Sequence, residues 1–197
     1  MKPESQSSLR RQFGTLSTVA DRISDKLEVR ERADIGCVLL NAAVNSVDII
    51  DAGSAAVGVQ LPAGAGLIST VPRRSAMWLT PRAWLILCSA EDEIALASRV
   101  DAAFPEKRLH AALFTDYLCW LELRGQSAEE CLQYGAFISL ERGGLAVGHG
   151  KRTLIAGITA VTIHQSRFEW LVAIERSRAE YFAAWLKRSL QAHTGHI

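Results

Sequence analysis

The sequence lacks the segments that would mark a membrane-spanning or secreted protein. No apolar run reaches the roughly 18 residues that a transmembrane helix needs. The N-terminal sequence M-K-P-E-S-Q-S-S-L-R-R has no apolar h-region, so we expect no secretory signal. The formal net charge of +1 gives no electrostatic reason to expect a nucleic acid or a membrane surface as a partner.

The chain is also poor in the patterns that bind metals. It has four cysteines and no C-x-x-C pair, so neither a zinc ribbon nor a redox dithiol is expected. Three of the cysteines lie in apolar strand patterns, and we interpret all four as reduced core thiols of a cytoplasmic protein. They are Cys37, Cys88, Cys119 and Cys131. The five histidines share no ligand spacing with a cysteine or a carboxylate, and a catalytic pair that meets only in three dimensions stays an open alternative.

The glycine-rich segment 141–150, E-R-G-G-L-A-V-G-H-G, matches no phosphate-binding motif. A P-loop needs a glycine five residues before its Gly-Lys pair and a Ser or Thr directly after the lysine. Here Leu145 and Arg152 occupy those places. The segment also leads into a predicted strand, whereas a dinucleotide-binding loop leads into a helix. We interpret it as a flexible loop between strands.

What the sequence does contain is a well-defined central stretch, Tyr117–Leu140. Its first half, Y-L-C-W-L-E-L-R, is apolar on nearly both faces and predicts a central, covered strand. Gly125 ends the strand, and Ser127 with Glu130 three residues later predicts a capping box at the start of a short helix. Gly135 stands where a left-handed helix cap is common.

The order of the predicted elements repeats along the chain. Each half contains a strand, a helix, a strand hairpin and a helix. We therefore predict an α+β fold of two strand–helix–hairpin–helix repeats, in which antiparallel sheets carry helices on their outer faces. The expected division is a polar N-terminal arm over 1–34 and a single compact domain over 35–197, built from repeats 35–106 and 107–191.

The N-terminal arm carries one narrow apolar pattern. Val19, Ile23 and Leu27 follow at four-residue spacing, which is typical of a helical stripe. One interpretation is a frayed surface helix. The other is an arm that becomes ordered against a partner protein.

Asp116 is a candidate functional carboxylate, because it lies in the otherwise apolar stretch L-F-T-D-Y-L-C-W. A half-buried carboxylate needs hydrogen bonds or a positive partner. It is either a ligand-binding or acid–base residue, or an aspartate that caps a bend between two strand segments, and the pattern favours the second. The five tryptophans are expected mostly in strand and helix cores, with one or two at a protein interface.

The C-terminal helix is predicted from a second capping box, Ser177 with Glu180. Periodic apolar residues follow this capping box, and they define the face that we expect to be buried. They are Tyr181, Phe182, Trp185, Leu186 and Leu190.

Several of these segments share their order and spacing with a known family. They are the hairpin W-L-T-P-R-A-W-L at 78–85, the dipeptide Thr115-Asp116, and the strand and turn L-E-L-R-G with Ala128. The tetrapeptide L-A-V-G at 145–148 and the C-terminal strand and helix, which contains Trp185-Leu186, complete the set. Over 77–190 the chain resembles the gamma subunit of heterotetrameric sarcosine oxidase. The strand, glycine turn and helix also resemble the folate-binding domain of glycine-cleavage aminomethyltransferases.

The resemblance implies a function and a set of partners. It implies a non-catalytic, structural gamma subunit of a complex that oxidatively demethylates a secondary amine such as sarcosine or another N-methyl amino acid. Alpha, beta and delta subunits would be the partners and would carry FAD, FMN, NAD, zinc and tetrahydrofolate. No catalytic, cofactor-binding or metal-binding residue is implied on this chain. The alternatives are a free-standing folate-binding protein of the aminomethyltransferase type and a lone interaction module.

Overall fold

A computed structural model describes the backbone of residues 21–24, 27–140 and 144–194, and the side chains of 27–140 and 144–190. In chain order the strands and helices are β1 (Asp21–Ser24), β2 (Leu27–Glu31), β3 (Ile35–Ala42), α1 (Val47–Val57), β4 (Ile68–Val71), β5 (Arg74–Thr80), β6 (Ala83–Ser89), α2 (Glu93–Ala103), β7 (Leu109–Leu113), β8 (Leu118–Arg124), α3 (Ala128–Gln133), β9 (Gly150–Ile155), β10 (Ile158–Ser166), β11 (Glu169–Glu175) and α4 (Ala179–Thr194). None of the helices in these ranges has the length and apolar character needed to cross a bilayer.

The strands form two sheets, and the chain divides into two compact units. The six-stranded unit contains the described part of the chain before Asp34, the segment Tyr117–Gly148 and the part from Arg152 onward. The five-stranded unit contains Asp34–Asp116 and His149–Lys151. Strand β7 therefore belongs to the five-stranded unit, although the sequence assigns it to the repeat 107–191; the predicted domain division itself stays a prediction.

The five-stranded unit is built around strand β3. Its sheet has the order β4-β5-β6-β3-β7, and every neighbouring pair is antiparallel. Val38 and Leu40 of β3 are fully buried and belong to a hydrophobic cluster that also contains residues of α1 and α2. Gly58 ends α1 in the left-handed conformation, with φ of +71°, as expected for a helix cap.

The six-stranded unit has the sheet order β1-β2-β8-β11-β10-β9. Strand β8 lies in the interior and pairs antiparallel with β2 and β11, which confirms the predicted central strand. Leu121 of β8 faces Val172 of β11, and both are fully buried. They share a cluster with Phe182 and Leu186 of α4, so apolar burial holds this helix on the sheet.

The predicted α+β fold with two antiparallel sheets is confirmed. Each unit contains the expected order of strand, helix, hairpin and helix: β3, α1, β5–β6 and α2 in one, and β8, α3, β10–β11 and α4 in the other. Strands β1, β2, β4, β7 and β9 extend the two sheets beyond that repeat.

The helical interpretation of the N-terminal stripe is wrong where the structure describes it. Ile23 lies in β1 and Leu27 in β2, while Val19 lies outside the described residues. Leu27 and Val29 are almost fully buried, since the sequence L-E-V-R-E alternates apolar and polar side chains and fits a strand with one covered face. A strand repeats its side-chain direction every two residues, so the four-residue spacing of Ile23 and Leu27 does not distinguish a strand from a helix.

The end signals of helix α3 are not the predicted ones. Ser127 is the N-terminal cap residue but forms no side-chain capping bond, so there is no capping box. The C-terminal cap is Tyr134 in right-handed conformation, and Gly135 does not adopt the left-handed one. Gly135 instead makes room for Trp185, because an added Cβ would lie 2.5 Å from Cζ2 of that indole. Gly125 ends β8 as predicted, with φ of +135°.

Helix α4 also begins differently from the prediction. A 3₁₀ turn, Arg176–Arg178, contains Ser177, and the α-helix starts only at Ala179, so the second capping box is not formed. Phe182 and Leu186 are fully buried as predicted. Tyr181 is 49% exposed, which contradicts its assignment to the buried face.

Candidate functional site

Asp116 is not the half-buried carboxylate that the sequence suggests. It lies exposed in the turn between β7 and β8. The buried carboxylate of this region is Glu93, at the start of α2, which is 3% exposed. Thr115 donates its hydroxyl hydrogen to Glu93 and accepts the backbone N–H of Cys37 at 2.9 Å. This arrangement ties β3, α2 and the end of β7 together, so we interpret Glu93 as structural.

An open pocket of about 650 Å³ lies in the six-stranded unit. Its lining comes from the beginning of α3, the segment before β9 and the turn between β10 and β11, and mixes acidic, basic, amide and apolar side chains. The lining residues are Gln126, Glu129, Glu130, Ser139, Val147, His164, Arg167 and Phe168. None of them was singled out as a site residue from the sequence.

Two backbone hydrogen bonds bring the walls of the pocket together. The N–H of Gly125 donates to the carbonyl of Phe168 at 2.9 Å, which joins the turn before α3 to the β10–β11 turn. The N–H of Gly148 donates to the carbonyl of His164 at 2.7 Å, which holds the end of the glycine-rich segment along β10. Gly125 and Gly148 both have positive φ, a conformation that a side chain would strain.

His164 is a buried residue in the lining of the pocket. The residue is 7% exposed, and its ring stacks on the indole of Trp170 with centroids 4.0 Å apart. Its Nδ1 lies 2.8 Å from the carbonyl oxygen of Leu145. Because a carbonyl can only accept, Nδ1 must carry a proton. The opposite nitrogen, Nε2, is buried and has no hydrogen-bond partner among the residues that the structure describes.

Charged side chains of both signs are among the residues that line the pocket. Glu129 and Glu130 lie in the first turn of α3. In the β10–β11 turn, the guanidinium carbon of Arg167 lies 4.9 Å from the ring centroid of Phe168, a cation–π contact. The pocket lining therefore contains carboxylate acceptors from α3 and a guanidinium from the β10–β11 turn.

A second feature of the same unit is an aromatic patch, which we define as Tyr134, Phe137, Leu154 and Tyr181. Their exposed fractions are 65%, 81%, 38% and 49%. The N–H of Phe137 donates to the carbonyl of Leu154 at 3.0 Å, and the Tyr181 hydroxyl donates to the carbonyl of Ala156 at 3.0 Å. The patch thus surrounds one backbone junction between the end of α3, the end of β9 and the start of α4.

The cysteines are placed as predicted, since all four are buried and none of them forms a disulfide. Burial raises the pKa of the Cys88 thiol to about 11 and that of the Cys131 thiol to about 12. A thiol whose pKa is this high carries little thiolate at neutral pH and is a poor nucleophile. Neither cysteine therefore has the chemistry of a catalytic residue.

The described residues form neither a metal site nor a pyrophosphate-binding helix at the glycine-rich segment. Within the described ranges, no three His, Cys, Asp or Glu side chains are grouped so that they could hold a metal ion. Gly150 begins strand β9, so the glycine-rich segment leads into a strand as predicted and presents no helix N-terminus to a pyrophosphate. The side chains of His193 and His196 lie outside the described part of the chain.

Comparison with known families decides the relationship that the sequence suggested. A model of the sarcosine oxidase, gamma subunit family matches residues 41–192, which is most of the chain. The chain belongs to this family. The resemblance seen over 77–190 is thereby confirmed, and it extends toward the N-terminus through α1 and the glycine- and proline-containing segment that follows it.

Solved structures agree in fold. A chain of the heterotetrameric sarcosine oxidase from Corynebacterium sp. U-96, in complex with pyrrole 2-carboxylate, superimposes with a TM-score of 0.82 at 21% identity, and the match covers 95% of both chains. The glycine cleavage system aminomethyltransferase T from Bartonella henselae matches with a TM-score of 0.60 at 11% identity over 82% of this chain. This chain spans 45% of that aminomethyltransferase chain. No curated protein sequence matches this one.

Proposed function

We propose that this chain is the non-catalytic, structural gamma subunit of a heterotetrameric sarcosine oxidase-type complex, which oxidatively demethylates sarcosine or another N-methyl amino acid. Family membership supports the gamma-subunit assignment. The observation that carries the structural role is the aromatic patch, in which Phe137 is 81% exposed. A subunit that contributes by contact needs such a surface, because large apolar side chains exposed near one another often mark a protein interface.

The patch has the chemistry of a permanent subunit contact. Aromatic residues are enriched in interface cores, where they contribute large apolar area at a low cost in side-chain entropy. Tyr181 is held by its hydrogen bond to the Ala156 carbonyl, so its ring is oriented before a partner binds. We propose that the partner presents an apolar surface to these rings and is one of the alpha, beta and delta subunits.

The high pKa values of two buried thiols support a non-catalytic role. The raised pKa values of Cys88 and Cys131 make them unsuitable as nucleophiles. We propose that the partner subunits carry the cofactors, which the family resemblance names as FAD, FMN, NAD, zinc and tetrahydrofolate. We also propose a cytoplasmic location, which four cysteines outside disulfide bonds favour.

The experiment is co-expression of the full chain with the alpha, beta and delta subunits of its host, followed by affinity purification through this chain. We expect the flavin absorbance of the complex to co-purify with the parent chain and to be strongly reduced with Phe137→Ser. Val47→Ser is the matched control, since Val47 is 73% exposed on α1 and lies outside the patch. Failure of the parent chain to co-purify with any flavoprotein would reject the proposed function itself.

The alternative of a free-standing folate-binding protein is tested on the isolated chain. The likeness to the aminomethyltransferase is one of fold. We expect the purified chain to be colourless, to have no amine oxidase activity and to give no saturable fluorescence change with tetrahydrofolate. Stoichiometric folate or flavin on the isolated chain after gel filtration would favour the alternative.

A further inference from the structure

Strand β4 is an outer strand of the five-stranded sheet, and within the described ranges its outer edge has no neighbouring strand. The N–H of Trp78 donates to the carbonyl of Leu67 at 3.2 Å, and β4 and β5 pair antiparallel from there to the turn between them. Because the hydrogen bonds to one neighbour alternate along an antiparallel strand, the backbone N–H and C=O groups of Ile68 and Thr70 point away from β5. Thr70 is exposed and Ile68 is partly exposed, so these groups form an open edge.

Strands β7 and β9 also lie at the ends of their sheets, but each has a feature that protects its edge. Natural sheets block their edges with charged side chains in the outer strand or cover them with other parts of the chain. Strand β9 contains Lys151 and Arg152. In β7, Leu109 is fully buried, so the outer edge of that strand is covered at this residue. Strand β4 has the sequence I-S-T-V, with neither a charged residue nor a proline.

Two exposed apolar side chains stand beside the open edge. Leu67 and Val71 are 45% and 37% exposed, and they share one face of the hairpin because they are four residues apart in an extended chain. Ser69 lies between them and pairs with Ala76, which belongs to the hydrophobic cluster that contains residues of α1 and α2. The apolar face of the sheet therefore continues to the exposed strand β4, where an added strand with apolar residues at alternate positions would cover it.

The turn after β4 adds a positive charge. The segment 61–82 contains three arginines and neither aspartate nor glutamate. Arg74 is used by the fold, since its Nη1 donates to the carbonyl of Val57 at 2.6 Å and anchors the hairpin on the end of α1. Arg73 is exposed, takes part in none of the ion pairs between described residues, and has φ of +67°, a conformation in which glycine is usual. This charge favours an acidic partner over a second copy of the same basic hairpin.

We propose that β4 binds an extended segment of a partner subunit as an additional strand. The segment carries apolar side chains at alternate positions and an acidic residue that faces Arg73. The backbone groups of Ile68 and Thr70 form the main-chain hydrogen bonds, as in other cases of strand addition to a sheet edge. Leu67 and Val71 form the apolar contact. This inference rests on the proposed subunit role, and the surface shares no residue with the aromatic patch.

Residue-resolved hydrogen exchange tests the added strand directly. The amides of Ile68 and Thr70 are compared in the isolated chain and in the complex purified with the alpha, beta and delta subunits. We expect both amides to exchange at least about tenfold more slowly in the complex, because the added strand supplies their acceptors. A complex in which both amides exchange as in the isolated chain overturns this inference and leaves the subunit role intact. Failure of the complex to form rejects both.

Two variants assign the effect to the strand edge and to the turn. Thr70→Pro removes an outward N–H without removing a bond to β5, and Thr70→Val is the matched control that keeps this N–H. Arg73→Gly removes the charge and suits the positive φ, so the isolated chain should unfold at no lower a urea concentration than the parent.

We expect Thr70→Pro and Arg73→Gly each to weaken the complex by at least about fivefold relative to the parent and to Thr70→Val. Parent-like affinity in both variants overturns the proposal. So does a dimer of the isolated chain that Thr70→Pro abolishes, because the edge would then belong to a second copy of this chain.

Discussion

Gly135 and Trp185 lie in direct contact, so closely that a methyl group on Gly135 would come within 2.5 Å of Cζ2 of the indole. The backbone N–H of Ala156 would be 2.9 Å from the same methyl group. The N–H of Ala156 donates to the Gly135 carbonyl at 3.0 Å, which fixes the end of α3 against the β9–β10 turn. The glycine is therefore required by close approach, and not by an unusual backbone angle.

We predict that Gly135→Ala destabilises the chain by about 1–3 kcal/mol, because overpacking at a fixed backbone forces the neighbours to move. The free energy of unfolding in urea measures the effect. Trp185→Leu should remove part of the clash, so the double variant Gly135→Ala/Trp185→Leu should be more stable than the sum of the single changes indicates. Strict additivity of the two changes would show that the indole is not what excludes a side chain at this position.

The two aromatic residues of α4 should differ in their contribution to stability. Phe182 is fully buried, whereas Trp185 is only partly buried beside the same core. We predict that Phe182→Ala costs about 3–5 kcal/mol and that Trp185→Ala costs less, since a partly exposed site leaves no closed cavity. Equal shifts of the two denaturation midpoints would contradict this order.

The sequence predicts local elements here better than it predicts contacts. The strand around Leu121, the turn at Gly125 and the helix that follows can be predicted from the apolar pattern and the position of the glycine, because these signals lie within a few residues of one another. The contact of Gly135 with Trp185 cannot, since it joins segments that only the tertiary fold brings together. For the same reason the pattern assigned Gly135 to the commoner role of a helix cap.

The pocket was missed for a related reason. His164 follows Ala160 and Thr162 on one face of β10, and a polar residue at the end of such a face is the signal that the sequence does contain. Its significance depends on Trp170 and Leu145, whose positions relative to the imidazole come from the pairing of β10 with β11 and from the loop before β9. Asp116 gave the stronger local signal, although its side chain is exposed.

The buried thiols predict a particular response to alkaline pH. Burial raises the pKa of Cys131 from 9.0 to about 12, so the folded state holds the thiol proton more tightly than the unfolded state does. The resulting stabilisation is fully present below pH 9.0 and is lost as the pH rises toward about 12. We predict that the unfolding midpoint falls less steeply above pH 9 in Cys131→Ala than in the parent chain.

A thiol-reactivity experiment checks the same burial independently. The native chain should react slowly with a thiol reagent near neutral pH, and all four cysteines should react at once after unfolding in guanidinium. Rapid modification of Cys131 in the native state, identified by peptide mass, would show that the thiol is accessible.

The ion pair of Arg32 with Glu122 should contribute more than a surface pair of the same length. The two atoms Nη1 and Oε1 are 2.8 Å apart, and the Glu122 side chain is 4% exposed. Lys107 and Asp101 are also 2.8 Å apart, but both side chains are exposed. We predict that Arg32→Met costs about 1–3 kcal/mol, since it leaves the buried carboxylate of Glu122 paired with the more distant Arg124, and that Lys107→Met costs below about 1 kcal/mol.

The last prediction separates a folding role of the N-terminal region from a partner-binding role. Strand β2 pairs with β8, and Leu27 and Val29 of β2 are buried in the core of the six-stranded unit. A chain that starts at Gly36 loses this strand, so it should lose stability and soluble yield even without any partner. Loss of the complex in that truncation would therefore say nothing about a contact made by the arm.

The informative truncation starts at Asp21 and keeps both N-terminal strands. If residues 1–20 contact a partner, as we propose, this chain should unfold at the same urea concentration as the full chain but give a lower yield of the co-expressed complex. The full chain and the truncation should be compared in one purification, with the chain starting at Gly36 as the misfolded reference. Equal yields of complex from the Asp21 truncation and the full chain would reject a partner contact in residues 1–20, and the aromatic patch would then be the surface to examine by substitution.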